Sequence, residues 1–158
     1  GQISSGQDRR HHRGGCPRQA GQRCQQLVDM GGDLADPGVQ FVLRLLRDRL
    51  VFESELALAI RDGFPVSPGH TLVIPRRHVA SFFETTPDEQ TAMLKLLNLA
   101  RIDLDHRHHP AAYNIGINDG HAAGQTVPHL HIHLIPRYAG DREDPRGGVR
   151  WILPDQAA

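Results

Sequence analysis

Gly124 to Arg137 reads GQTVPHLHIHLIPR, and within it His129, His131 and His133 alternate with Leu130, Ile132 and Leu134. Successive side chains of an extended chain point to opposite faces. The spacing therefore predicts a strand over 129–135, with three imidazoles in a row on one face and three aliphatic side chains on the other. Pro128 and Pro136 bracket the run, and proline belongs at strand ends rather than strand middles. Wound as a helix, the same residues would spread the histidines around the axis and run into Pro136.

A lone histidine is usually structural or solvated. Three at period two, backed by an aliphatic face, gather ionisable groups in one place and point to chemistry. Two chemistries fit. One is a metal site, because neutral imidazole is a common metal ligand. The other is covalent catalysis, with one imidazole as nucleophile and its neighbours handling protons and charge.

The His-x-His-x-His run, followed by two apolar residues and preceded by Gly124-Gln125-Thr126-Val127, resembles the signature of the histidine triad (HIT) family of nucleotide hydrolases and transferases. A second block, Asp62 to Val79 (DGFPVSPGHTLVIPRRHV), resembles that family's upstream strand and turn, with His70 in the place of its fourth histidine. The resemblance covers roughly Val51 to Tyr138.

The resemblance implies an α+β fold: an antiparallel sheet of about five strands with one long helix across it. It implies that His131 attacks an α-phosphorus and forms a nucleotidyl-imidazole intermediate. His133 then stands beside the phosphate oxygens, and His129 and His70 form a relay that sets tautomers. Asp62 falls where relatives bind the ribose hydroxyls, and Ile60 and Leu72 fall where they line the base pocket, although apolar strand residues are core by default. Gln125 and Thr126 would hydrogen-bond phosphate oxygens or the leaving group, and Asn118 the phosphate or ribose. The expected site holds no metal, with Mg²⁺ entering only alongside a polyphosphate substrate, and the family commonly forms a two-fold homodimer. The AGQTV and PRYAGD segments resemble the fragile histidine triad branch, which cleaves dinucleoside polyphosphates such as diadenosine tri- or tetraphosphate. The general branch, with nucleoside phosphoramidase activity, usually carries Ser where Thr126 stands. A nucleotide-binding adaptor that has lost turnover, or a metal-binding protein, are the readings outside this enzymology.

The chain has 158 residues and equal numbers of basic and acidic side chains, 18 of each, which suits one domain and gives no charge to draw nucleic acid or a membrane surface. No apolar run approaches the ~20 residues that span a bilayer, and the first residues lack the apolar region of a signal peptide. Cys16 and Cys24 are expected as free thiols in a reducing cytoplasm. Their spacing departs from the Cys-x-x-Cys pair of the zinc site that some relatives carry.

Residues 1–36 are rich in Gly, Gln and Arg and are expected as a basic, disordered tail; the family domain is expected over 37–154. Asp36-Pro37 reads as a helix start, with Val39, Val42, Leu43, Leu46 and Leu50 at helical spacing behind it. Strands are expected over 49–52, over 55–60 (with both faces covered) and over 70–74. Arg76, Arg77 and His78 are expected as surface residues of a polar turn, and Phe82 and Phe83 as cover for a sheet edge. Thr86-Pro87-Asp88-Glu89 is a capping box opening a helix to about His106, with Ala92, Met93, Leu96, Leu97, Ala100 and Leu104 as its apolar stripe. His106, His108 and His109 suit its C-terminal end. The strand YNIGIN (113–118) delivers Asn118, and Gly120 and Gly124 let the next loop turn N–H groups toward a phosphate. A short strand is expected over 149–153, with Trp151 packing on the body or a second subunit, and Arg146 and Arg150 as candidates for meeting phosphates.

Overall fold

The computed structural model describes residues 48–156. The expected tail and N-terminal helix fall outside the described residues. Five strands form one sheet: β1 (Leu50–Glu53), β2 (Ala57–Arg61), β3 (Thr71–Pro75), β4 (Ala112–Ile117) and β5 (Ile132–Arg137). Their order is β1-β2-β3-β5-β4, and every neighbouring pair is antiparallel. The histidine strand β5 therefore lies between β3, which follows His70, and β4, which precedes Asn118.

One helix, α1 (Pro87–His108), packs across β1, β2, β3 and β5. Its start is the expected capping box: Thr86 Oγ1 accepts from the Glu89 N–H, and Glu89 Oε2 accepts from the Thr86 N–H. Arg77 is exposed, as expected, and lays its guanidinium along the Glu89 carboxylate at 2.8 Å for both contacts, which ties the β3 turn to the helix. The helix ends at His109, which takes the left-handed conformation at φ 47°; Pro110 follows and cannot continue it. His106, His108 and His109 are exposed there.

The stripe of α1 meets alternate residues of the sheet. Met93, Leu96, Ala100 and Leu104 bury against Ala57, Ala59, Val73, Ile132 and Leu134. Only this face of the sheet is covered by the helix. On the other face of β2, Ile60 is buried and Leu58 half-buried, and Leu72 and Ile74 of β3 beside them are half-buried.

The alternation of burial in the histidine run is as the spacing predicts: Leu130, Ile132 and Leu134 are buried, while His129, His131 and His133 are half-buried. The ladder itself begins later than expected, at Ile132. Ahead of it the Leu130 N–H goes to the Val79 carbonyl at 2.7 Å, so His129 and His131 stand in the approach to the strand. Pro136 lies one residue inside the strand's end. The Arg137 carbonyl turns to β4, accepting from the Ala111 N–H, so Pro136 turns its missing N–H to the other edge, beyond Leu134, the last β5 residue paired with β3.

The expected C-terminal strand is instead a 3-10 turn, Gly148–Ile152. Gly147 and Gly148 have φ of 86° and 48°, a left-handed entry that only glycine takes readily. Trp151 Nε1 donates to the Arg146 carbonyl, and the Arg142 guanidinium lies 4.9 Å from its ring. Arg146 is exposed and paired with Asp144. Among the described residues no helix is long and apolar enough to cross a membrane.

Candidate active site

The sheet register assembles the site on its helix-free face. Leu72 on β3 pairs with His133 on β5, Ile60 on β2 pairs with Leu72, and Gly116 on β4 pairs with His133 on the other side. Ile60, Leu72, His133 and Gly116 thus form one row across four strands, because paired residues of an antiparallel ladder share a face. The last residue of β4, Ile117, pairs with Ile132, the residue after His131, and Asn118 follows directly.

His70 sits just ahead of β3 and is buried, 3 % exposed. Gly69, at φ 82°, makes the tight entry to that strand. A side chain on Gly69 would also meet Leu104 Cδ2 at 2.5 Å, so helix and turn close on each other there. His70 Nε2 is 3.0 Å from His133 Nδ1, and His70 Nδ1 is 3.1 Å from Asp62 Oδ2. A carboxylate only accepts, so His70 carries its proton on Nδ1 and accepts at Nε2 from His133 Nδ1–H. The Val66 N–H, 3.4 Å from His70 Nδ1, is too long to outweigh the charged acceptor. Asp62 Oδ1 meanwhile accepts from the Phe64 N–H at 2.9 Å, so Asp62 both closes its turn and orients His70.

The groups in line behind His133 are therefore His70 and Asp62, whereas the resemblance implied His129 with His70. His129 lies elsewhere: its Nε2 is 2.9 Å from the Pro75 carbonyl, and its Nδ1 is 3.2 Å from His78 Nδ1. His78 is exposed, as expected, and also touches the triad. Its only sequence signal was its place at the end of the RRH turn.

His131 completes the group. Its Nδ1 lies 2.8 Å from the His129 backbone carbonyl. A carbonyl also only accepts, so Nδ1 carries the proton and Nε2 holds a free lone pair. The ring stands edge-on to His133, with centroids 4.9 Å apart. A ring nitrogen with an available lone pair and a second imidazole thus share one space, each with its tautomer set from behind.

Gln125 is engaged with its own loop: Oε1 accepts from the Gly120 N–H, and Nε2 donates to the Ala80 carbonyl. Asp119 Oδ2 accepts from the Phe82 N–H and the Ser81 hydroxyl. These bonds staple the 119–125 loop to the segment after β3. Gly120 and Gly124, both at φ 89°, make the turns on either side of a short 3-10 segment, His121–Ala123. Thr126 is exposed in the loop that leads to the triad.

Asp62, His70 and His133 hold nitrogen and oxygen atoms within 4.8 Å of one another, the density that a metal site has. Their contacts run in series at hydrogen-bond length, however, and the same ring bridges both partners, which is the arrangement of a proton chain.

Burial sets the charge of these rings. Loss of water holds His133 down at about 4, with the neighbouring His131 and His70 adding to the effect and Asp62 opposing it. Burial lowers His70 against the pull of Asp62, and lowers His129 against its bond to the Pro75 carbonyl. An unfolded histidine titrates near ~6.5. Between that value and the folded one the unfolded chain binds more protons, so stability rises with pH. The contribution of His133 is fully present above ~6.5 and is lost as pH falls toward its folded value. The urea midpoint should accordingly drop between about pH 7 and pH 4.5, and His133→Asn should flatten that dependence; an unchanged slope in the variant would count against a buried neutral ring.

The arrangement now has counterparts. The family model of the HIT domain matches residues 45–140. The chain is 39 % identical over 93 residues to the asymmetrical bis(5'-nucleosyl)-tetraphosphatase of Schizosaccharomyces pombe, covering 59 % of this chain and 51 % of that protein. It is 38 % identical over 92 residues to the bifunctional bis(5'-adenosyl)-triphosphatase/adenylylsulfatase of Arabidopsis thaliana, covering 58 % of this chain and 51 % of that one. The chain thus spans about half the length of these two curated relatives. The crystal structure of a HIT family protein from Bacillus anthracis superposes with a TM-score of 0.55 at 39 % identity, over 57 % of this chain and 64 % of that one. The matched span takes in all five strands, α1 and every histidine of the site, and the chain belongs to the HIT domain family.

Proposed function

We propose that this protein hydrolyses dinucleoside polyphosphates, cleaving diadenosine tri- or tetraphosphate through a nucleotidyl-His131 intermediate. The observation that carries this reading is the His131 Nδ1 contact to the His129 carbonyl at 2.8 Å, which leaves Nε2 unprotonated beside His133. Nε2 attacks the α-phosphorus, and the bond from that phosphorus to the bridging oxygen breaks. The leaving polyphosphate departs with the bridging oxygen and its electron pair. The His131 ring then carries positive charge, which the His129 carbonyl stabilises through Nδ1–H. Water attacks the same phosphorus, the P–N bond breaks, and a nucleoside monophosphate leaves.

The other residues serve positioning and charge, which is most of what such a transfer needs. His133, backed by His70 and Asp62, faces the phosphate oxygens. Leu72 lies in its row and offers an apolar surface to a purine, with the buried Ile60 behind it in the same row. Asp62 retains lone pairs for ribose hydroxyls, Asn118 reaches phosphate or ribose, and Thr126 and Gln125 take the leaving group once Gln125 releases its loop contacts. Mg²⁺ enters with the polyphosphate as its counter-ion. The names of the two curated relatives, a tetraphosphatase and a triphosphatase, support this substrate class, as does Thr126 in the loop. β4 is an edge of the sheet and leaves Ile115 half-exposed, which supports a two-fold homodimer; light scattering reads that state.

The discriminating experiment offers diadenosine tetraphosphate, diadenosine triphosphate and adenosine phosphoramidate separately and follows AMP by mass spectrometry. Faster release from the dinucleotides is expected. Preference for the phosphoramidate would replace this substrate class with that of a nucleoside phosphoramidase, and release from none of the three would leave a binding module.

A further inference from the structure

We propose that His78 is a positioning residue for the nucleophile, acting through His129; this rests on the reading of His131 as the attacking group. His78 Nδ1 lies 3.2 Å from His129 Nδ1, with the ring centroids 5.3 Å apart and the planes tilted by 35°. The far nitrogen of His129, Nε2, lies 2.9 Å from the Pro75 carbonyl and must donate there. A neutral His129 then has only a lone pair at Nδ1, so His78 Nδ1–H is the donor. The His129 ring is thereby held at both ends, by a carbonyl from β3 and an imidazole from the turn that follows it. The backbone carbonyl of the same residue accepts the His131 Nδ1–H.

Three links thus run from an exposed side chain to the nucleophile: His78 to the His129 ring, ring to peptide, peptide carbonyl to His131. Without His78, the half-buried His129 Nδ1 is an acceptor lacking its donor, which favours ring rotation or a shift of residue 129. Either change moves the carbonyl that fixes the His131 tautomer. Partners that orient an active group from one step behind contribute roughly ten- to a hundred-fold in function when removed. His78 itself is exposed, so its replacement should leave the core intact.

The test compares wild type, His78→Ala and His78→Asn, whose amide N–H can replace the lost donor. Imidazole ¹⁵N spectra of the ligand-free proteins report the protonated nitrogen of His129 and His131 without reference to turnover. In His78→Ala both histidines should leave their single tautomers, kcat should fall roughly ten- to a hundred-fold, and KM should hold. His78→Asn should restore the spectra and most of kcat. Wild-type ¹⁵N shifts retained at His129 and His131 in His78→Ala would overturn the inference, even if kcat fell. A wild type inactive on every nucleotide offered would remove the proposed function, while the spectra would still decide whether His78 sets the two tautomers.

Discussion

His131→Ala is expected to lower turnover of diadenosine polyphosphates by roughly 10⁵-fold or more, the scale seen when a covalent nucleophile is deleted. No neighbour can take its place. His133 has its Nδ1 toward His70, and His129 has its two nitrogens on the Pro75 carbonyl and His78. Each ring is oriented by its own partners, so none can swing to the phosphorus without giving up a bond in a half-buried place. Binding should survive, because the row of Ile60, Leu72 and His133 and the loop of Asn118 to Thr126 stay in position. Rapid-quench kinetics and calorimetry with a nonhydrolysable adenine nucleotide separate the two effects. Turnover within a hundred-fold of wild type would remove the covalent mechanism.

Leu134→Ala is expected to destabilise the fold by about 2–5 kcal/mol, the range for deleting a buried leucine side chain. Leu134 is fully buried, in contact with Ala100 and Leu104 of α1, with Phe52, Leu97 and Tyr113 packed around them. It pairs with Thr71 on one side and Ile115 on the other. A cavity there is closed in by a helix and by strands on both flanks, which limits how far the site can collapse. Urea unfolding should show a lower midpoint with an unchanged slope. His133→Asn, one residue earlier on the opposite face, should cost far less stability and far more activity. Equal stability losses for both variants would contradict the division of β5 into a packing face and a chemical face.

That division was legible in the sequence. Alternation of His with Leu and Ile needs no partner to be recognised, because it follows from the two-residue period of an extended chain. The capping box at Thr86 and Glu89 and the stripe from Met93 to Leu104 are legible for the same reason: their contacts lie within a helical turn or two. The exposure of His78 and Arg77 was legible, but their partners were not. Polar residues in a turn are exposed by default, and nothing nearby in the chain announces a partner such as His129 or Glu89. Gly147 and Gly148 turned the expected C-terminal strand into a 3-10 segment, since a left-handed glycine pair breaks an extended run and hydrophobic character alone cannot show it.

The sequence by itself determined the long helix, the strands of the sheet and the face of β5 that carries the imidazoles. Tertiary structure alone decided who touches whom. The antiparallel register of β3 on β5 brings His70 to His133 across 63 positions of chain, and the turn after β3 brings His78 to His129 across 51. Local sequence sets which way a side chain points; which ring lies opposite depends on strand register, and register is fixed by the burial of the whole sheet under α1.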